Sequence, residues 1–296
     1  MALRNIRNGI AEFRFAHLDE GAWHMKIAVH QMCSALQPSI NIQEITKGIN
    51  MAAANGAVMY FAPEMSFMLD RDRKRAALSI VAENDNLWLQ QICAVAAAEN
   101  IWVHLGSIPV LHEDGSGRYG NRTIVIDNQG VIHARYDKMH LFDVDLATGE
   151  SWRESSAFRG GDRPVVVDTP LGKMGLTICY DMRFPDLYSR LSQAGAQVFA
   201  IPAAFTVPTG KAHWHTLLRA RAIESACFVV AAAQSGLHQD GRATFGHSLV
   251  VDPWGEVLLD MGEGEGLAFV ELDLARVDAV RAQIPVHLNR REISAP

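Results

Sequence analysis

The sequence is poor in anything that staples or anchors a chain. Its 296 residues include four cysteines, Cys33, Cys93, Cys179 and Cys227, set far apart with no C-x-x-C pair. That spacing excludes a disulfide framework and a cysteine zinc site, and a reducing, cytoplasmic compartment fits it best. No apolar run approaches the roughly 18 residues that span a bilayer, so no membrane partner is expected. Basic charge is scarce as well: 27 Lys and Arg against 33 Asp and Glu give a formal net charge of -6. Nucleic acid demands a basic face, so it is not expected as a partner either. Residues 26–283 contain no Gly/Ser/Pro-rich linker, no repeat and no low-complexity tract.

What is present is an ordinary globular balance, 49% hydrophobic and 20% charged. A domain of this length buries roughly three quarters of its unfolded surface and needs no disulfide or metal to fold. One domain is expected over residues 25–296. Residues 1–24 differ: Arg4, Arg7 and Arg14 mix with Glu12, Asp19 and Glu20, without the apolar core of a secretory signal. They are expected to form a loosely structured extension.

From Lys26 onward short apolar runs alternate with longer amphipathic ones. Strands are predicted over 26–32, 57–62, 101–108, 165–167, 174–178, 198–201, 227–233 and 267–272. Residues 121–127 and 131–136 around Asn128-Gln129-Gly130 read as a hairpin, as do 247–251 and 256–259 around Asp252-Pro253-Trp254-Gly255. Helices are predicted over 41–54, 84–99, 186–193, 213–225 and 274–283. This is an α/β pattern with mixed sheets. So many strands exceed what one open sheet holds comfortably, so two stacked sheets with helices outside are expected.

Three residues stand at strand ends with chemistry to offer. Cys179 follows the apolar run Met174-Gly-Leu-Thr-Ile178 and precedes Tyr180-Asp-Met-Arg-Phe-Pro185 and a helix. A nucleophile at such a turn is exposed beside backbone N–H groups that can hold an oxyanion, and helix N-terminal amides favour a thiolate. An inert core cysteine is the competing reading. Glu64 ends the run Val58-Met-Tyr-Phe-Ala-Pro63, where desolvation is expected to raise its pKa toward that of a general base. A helix cap or surface ion pair is its alternative. Lys138, at the end of the second hairpin strand, can donate to an oxyanion or be a plain surface lysine. Arg183 suits a substrate carboxylate or a structural ion pair. Thr206 suits the pocket wall or a turn. His213 and His215 are two apart and face different ways on a helix, so they make a poor metal pair. His140 and His247 read as structural, hydrogen-bonded groups, and no metal or other cofactor is expected.

Convergence of these residues is not readable locally, but the motifs together resemble the nitrilase superfamily. They are Pro63-Glu64-Met65, Tyr136-Asp-Lys138-Met-His-Leu-Phe-Asp143 and Ile178-Cys179-Tyr-Asp-Met-Arg-Phe-Pro185, with Ala212-His-Trp214, Leu218-Arg-Ala-Arg-Ala-Ile-Glu224 and Gly246-His-Ser-Leu-Val-Val-Asp-Pro-Trp-Gly255 extending the match. The resemblance implies an αββα sandwich, subunits paired through their helix faces as a homodimer or higher homo-oligomer, and a catalytic set of Glu64, Lys138 and Cys179. It places a second acid at Glu154 rather than Glu150, positioning the lysine or the substrate. The implied reaction is hydrolysis of a small-molecule amide through a thioester, with Tyr180, Arg183 and Thr206 as candidate substrate contacts. Within the superfamily the motifs are most similar to the deaminated-glutathione amidase branch. The ω-amidase branch, acting on α-ketoglutaramate or α-ketosuccinamate, is the alternative, followed by other aliphatic amidases and N-carbamoyl hydrolases. The first two act on 2-oxo acid amides.

Overall fold

Alternation of apolar side chains decides which face of each strand is dry, and both faces are dry here. The computed structural model describes residues 24–291 apart from residues 113, 146, 148 and 150. The extension expected over residues 1–24 therefore lies outside the described residues, save His24, and Glu150 lies outside them as well.

The first half of the chain runs β1 (His24–Gln31), α1 (Pro38–Ala54), β2 (Met59–Phe61), α2 (Arg73–Ala76), α3 (Leu87–Ala98), β3 (Trp102–His104), β4 (Ile108–Leu111), β5 (Tyr119–Ile126) and β6 (Ile132–Asp137). A small hairpin follows, β7 (Asp143–Asp145) with β8 (Ser151–Arg153). The second half runs β9 (Val165–Thr169), β10 (Gly172–Leu176), α4 (Pro185–Gln193), β11 (Val198–Ala200), α5 (Val207–Ser225), β12 (Phe228–Ala231), β13 (Ser235–Leu237), β14 (Ala243–Phe245), β15 (Leu249–Val251) and β16 (Val257–Asp260). It ends with β17 (Gly266–Asp273), α6 (Ala275–Gln283) and α7 (Val286–Asn289).

Two mixed sheets result. One has the order β17-β1-β2-β3-β5-β4 with β6 on β5, and the other the order β16-β15-β12-β11-β10-β9. Strands β1, β2 and β3 are parallel, as are β10, β11 and β12. The last long strand returns to the first sheet, antiparallel to β1 from His24↔Asp273 to Gln31↔Gly266. Between the sheets Ile27, Val29, Met59 and Phe61 pack with Leu176, Ala200, Val230 and Val250. The alternate residues Ala28 and Tyr60 face outward onto Ile42, Ile45 and Ile49 of α1 and Leu89 and Ile92 of α3. Leu187, Leu191, Leu218 and Ala222 of α4 and α5 cover the other sheet. Each such fully buried aliphatic side chain contributes about 1.5–3 kcal/mol. The αββα sandwich expected from the sequence is the architecture found.

Boundaries moved where tertiary packing overrode local signals. Helix α5 starts at Val207 rather than His213, through Pro208 in its first turn and Gly210. That glycine is no helix breaker here: a Cβ on it would come within 2.2 Å of the Phe245 ring, so the helix needs it to approach β14. The strand expected over 101–108 splits at Gly106 (φ +67), where a Cβ would lie 1.9 Å from the Pro63 carbonyl oxygen. In place of a helix from Asn84, Asn86 caps α3 by accepting from the Leu89 N–H at 3.0 Å. Trp254, in the turn between β15 and β16, is 49% exposed.

Candidate active site

The parallel strands of both sheets end on one side, and each delivers a polar group there. Glu64 follows β2, Lys138 follows β6, Cys179 follows β10, and Ala204 follows β11. Two backbones near this point are left-handed: Met65, just after Glu64, has φ 56° and Cys179 has φ 48°. Such conformations in side-chain-bearing residues are costly and gather at functional sites. That of Cys179 is held by its own N–H donating to the Pro202 carbonyl at 2.9 Å. Gly106 lets the Pro63 backbone pass close, and Gln234, fully buried, donates to the Glu64 carbonyl at 2.9 Å.

The side chains so presented meet. Lys138 Nζ lies 2.9 Å from Glu64 Oε1 and 2.9 Å from Glu154 Oε2, in surroundings almost closed to solvent. Glu64 Oε2 accepts from the Ala204 N–H at 2.8 Å, and the Cys179 thiol lies against the same carboxylate. Glu154 Oε2 also accepts from the Phe142 N–H at 2.7 Å. Glu64, Lys138, Cys179 and Glu154, the four residues expected in the catalytic set, are therefore brought together.

The electrostatics correct two expectations. Burial alone would push the Glu64 carboxyl up, but the Lys138 ammonium beside it, with hydrogen bonds from Lys138 and Asn121, holds it below the usual carboxylate range. Burial pushes the Cys179 thiol well up, and the negative Glu64 pushes it further than Lys138 can offset. The turn after Cys179 is a short 3-10 turn, Cys179–Arg183, so no α-helix N-terminus sits at the sulfur to favour a thiolate. Burial works against the charge on Lys138, but Glu154 and Glu64 hold its ammonium well above the ordinary lysine value. The resting site is a buried carboxylate–ammonium–carboxylate chain beside a protonated thiol.

Sequence reasoning missed Asn121 in β5. Its amide donates to Glu64 Oε1 at 2.9 Å and to Glu154 Oε1 at 3.1 Å, bridging the two acids. A signal existed: asparagine is depleted in strands, so one inside an otherwise apolar hairpin strand asks for a reason. Asp181 was also passed over. It is fully buried and accepts from the Ile178 N–H (2.9 Å), the Tyr136 hydroxyl (2.7 Å) and the His140 N–H (3.0 Å), with His140 Nδ1 at 2.7 Å. It thereby ties the turn after Cys179 to the strand end that carries Lys138. His140 has the structural role expected of it and stacks on Phe184 at 3.6 Å.

The substrate candidates are placed less uniformly. Tyr180 makes edge contacts with Phe142 at 5.0 Å and Phe184 at 5.3 Å beside the nucleophile turn. The Arg183 guanidinium lies over the rings of Tyr180 (6.0 Å) and Phe205 (5.5 Å), with Nη2 3.2 Å from His213 Nδ1. No carboxylate pairs with it among the described residues, which leaves out the structural ion pair. The Thr206 hydroxyl faces Thr209 Oγ1 at 2.7 Å, so it behaves as a turn hydroxyl at the start of α5.

Comparison with known proteins agrees with this geometry. The nitrilase and fragile histidine triad fusion protein NitFhit of Caenorhabditis elegans is 40% identical over 266 residues. Those cover 90% of this chain but only 60% of the fusion protein, and its crystal structure superposes with a TM-score of 0.83, covering 65% of that chain. The deaminated glutathione amidase of Mus musculus is 40% identical over 91% of this chain and 84% of its own length. A variant of the amidase from Nesterenkonia sp. AN1, solved with the acetamide moiety of fluoroacetamide added covalently at its active site cysteine, is 26% identical with a TM-score of 0.75, covering 93% of this chain and 99% of that one. The family described as carbon-nitrogen hydrolase matches residues 26–282. With that match spanning both sheets and the whole polar cluster, the chain belongs to the carbon–nitrogen hydrolase (nitrilase) family and is an amidase.

Proposed function

We propose that Cys179 is the nucleophile, Glu64 the general base, Lys138 an oxyanion donor and Glu154 the residue that positions Lys138. The observation that carries this reading is the Lys138 ammonium fixed at 2.9 Å from each acid, with the thiol beside Glu64. Because the thiol is held well up and Glu64 down, a free thiolate is scarce, and proton transfer must accompany attack. Sγ bonds to the amide carbon as its proton moves to Glu64, and the carbonyl electron pair moves onto oxygen. Lys138 and the Tyr180 N–H donate to that oxygen. The tetrahedral intermediate collapses, the C–N bond breaks, and Glu64 returns its proton to the leaving nitrogen, leaving a thioester. Water, giving a proton to Glu64, then attacks the thioester, and the acid leaves as the thiol is re-protonated. Net, one water is consumed, and no cofactor is required.

For the substrate, we propose deaminated glutathione, the compound named for the mouse relative. It presents a 2-oxo acid beside the scissile amide. Arg183, free of carboxylate partners among the described residues and beside the nucleophile turn, suits that carboxylate. We read residues 25–296 as one hydrolase domain and residues 1–24 as an extension. We further read the chain as a homodimer paired through helix faces in a reducing, cytoplasmic compartment. No helix among the described residues is long and apolar enough to cross a membrane.

The test offers the purified protein deaminated glutathione, α-ketoglutaramate and α-ketosuccinamate, follows amine or ammonia release, and uses Cys179→Ala as control. A kcat/KM highest for deaminated glutathione, with no turnover by Cys179→Ala, is expected. Preference for α-ketoglutaramate would move the assignment to ω-amidase, and full activity of Cys179→Ala would remove the nucleophile.

A further inference from the structure

Away from the active site, three side chains from separate elements converge at the surface. They are His215 of α5, His247 in the link between β14 and β15, and Asp260 at the end of β16. One imidazole nitrogen from each ring and a carboxylate oxygen all lie within 4.8 Å of one another. Asp260 offers a different oxygen to each ring, Oδ2 to His215 Nε2 and Oδ1 to His247 Nδ1, both at 2.9 Å. All three side chains are partly exposed, so the fourth side of the cluster is open to water.

The cluster is built on fixed supports. His247 is held in the left-handed region at φ 54°. Its N–H donates to the Gly262 carbonyl at 2.7 Å, and its carbonyl accepts from Nε1 of the fully buried Trp214, also at 2.7 Å. Its ring stacks on Phe245 at 4.3 Å. The Gly262 N–H donates to Asp260 Oδ1 at 2.9 Å, which turns that carboxylate toward His247. The ring direction is thus dictated by buried anchors rather than by the exposed surface. The sequence expectation of no metal considered His213 with His215 and read His247 as a structural, hydrogen-bonded group. His213 does turn elsewhere, to Arg183, but His215 meets a histidine 32 positions further on.

We propose that His215, His247 and Asp260 are the protein ligands of a borderline divalent transition-metal ion, such as Zn2+, with water in the remaining position. Two imidazoles and a carboxylate with one open position suit that ion class. Zinc holds such ligands at about 2.0–2.2 Å, which sets tetrahedral donors about 3.3 Å apart. Binding draws the three donors, now within 4.8 Å of one another, to that spacing. On binding, each ring gives up its hydrogen bond to Asp260, carries its proton on the other nitrogen and turns a lone pair to the ion. The ion ties α5 to the β14–β15 link and to β16. Its position is one layer behind the pocket wall, since Trp214 packs on Phe205 at 5.1 Å and Ala204, the residue before Phe205, donates to Glu64. Its role is therefore structural, and it leaves the hydrolytic steps to the cysteine site.

The test uses the full chain carrying Cys179→Ala, so that the active-site thiol takes no metal. After dialysis against a chelator, Zn2+ is titrated by calorimetry, and Co2+ is followed by its visible absorption. One saturable equivalent is expected, with a tetrahedral Co2+ spectrum and a rise in Tm on adding Zn2+. Adding His215→Ala or Asp260→Asn should weaken binding at least tenfold and abolish the Tm rise. Both changes sit at the surface, and circular dichroism checks that the variants fold. Failure to bind one equivalent, or equal binding by the His215→Ala and Asp260→Asn proteins, overturns the site and leaves the trio as two rings hydrogen-bonded to a shared carboxylate.

Discussion

Replacing Asn121 by alanine is the sharpest probe of how the acids are organised. Its amide makes two hydrogen bonds to charged acceptors, at 2.9 Å to Glu64 and 3.1 Å to Glu154, and it is buried. Such bonds contribute roughly 1.5–3 kcal/mol each. Lys138 remains to hold both carboxylates, so only part of that is lost. A net loss of about 2 kcal/mol in the transition state corresponds to a fall in kcat of about 30-fold. A second readout separates positioning from packing. The Asn121 donor is one of the contacts that hold the Glu64 carboxyl low, so its removal lets that pKa rise. The base must be ionised to accept the thiol proton, so the acidic limb of the kcat/KM profile should move to higher pH. Asn121→Asp, which sets a third carboxylate against the other two, should move it further and cost more activity. Steady-state kinetics across pH 4–9, with circular dichroism to show an intact fold, checks both. A kcat within threefold of the parent and an unmoved acidic limb would refute the bridging role.

Other outcomes follow from the same geometry. Lys138→Gln removes an oxyanion donor and should lower kcat by about 10²–10³. It also leaves two buried carboxylates facing each other, so a thermal melt should show destabilisation of about 3–5 kcal/mol, and near-parent activity would contradict its role. Gly106→Ala places a Cβ 1.9 Å from the Pro63 oxygen at φ +67 and should cost more than about 2 kcal/mol, or at least about 4 °C in Tm. An unchanged melt would show that the strand end is not tightly packed. Glu64 has a folded pKa below its ordinary value of 4.5, so its contribution to stability is full above that value and lost as pH falls through the lower folded one. The parent should therefore lose more Tm between pH 6 and pH 3 than Glu64→Gln does, and parallel curves would remove Glu64 as a source of acid sensitivity.

The sandwich was legible because the strands of the two large sheets announce themselves by apolar runs, and because so many strands cannot stay in one open sheet; the short hairpins β7–β8 and β13–β14 carry no such run. The polar site was legible only as separate strand ends. Glu64, Lys138 and Cys179 are far apart in sequence, and their convergence depends on which strands run parallel, a fact set by long-range pairing. Resemblance to a family supplied that step, as it did for Glu154. Asn121 and Asp181 were not found because their work is done entirely by tertiary hydrogen bonds. The two pKa directions were mis-set for a related reason. Desolvation of Glu64 and a helix terminus at Cys179 are local inferences, whereas the Lys138 charge that lowers Glu64, and the burial and Glu64 charge that raise Cys179, come from long-range packing. Packing against a distant partner also explains α5, where Phe245 requires the glycine that locally reads as a helix breaker.

The proposed division of roles, Glu64 as base and Glu154 as fixed partner of Lys138, is supported by counting lone pairs. A carboxylate offers about four acceptor sites. Glu154 fills four: Lys138 at 3.2 Å and Asn121 at 3.1 Å on Oε1, and Lys138 at 2.9 Å and the Phe142 N–H at 2.7 Å on Oε2. Glu64 fills three: Asn121 and Lys138, each at 2.9 Å, on Oε1, and the Ala204 N–H at 2.8 Å on Oε2. One site on Glu64 Oε2 remains, and the Cys179 thiol lies against that carboxylate. Saturation makes Glu154 a fixed counter-charge that holds the Lys138 ammonium in place. Glu64 can accept a proton at its open site and keep its other three donors. In the proposed mechanism two acids sharing one lysine thus divide the work by coordination, and the proton moves on the side where a lone pair is unclaimed.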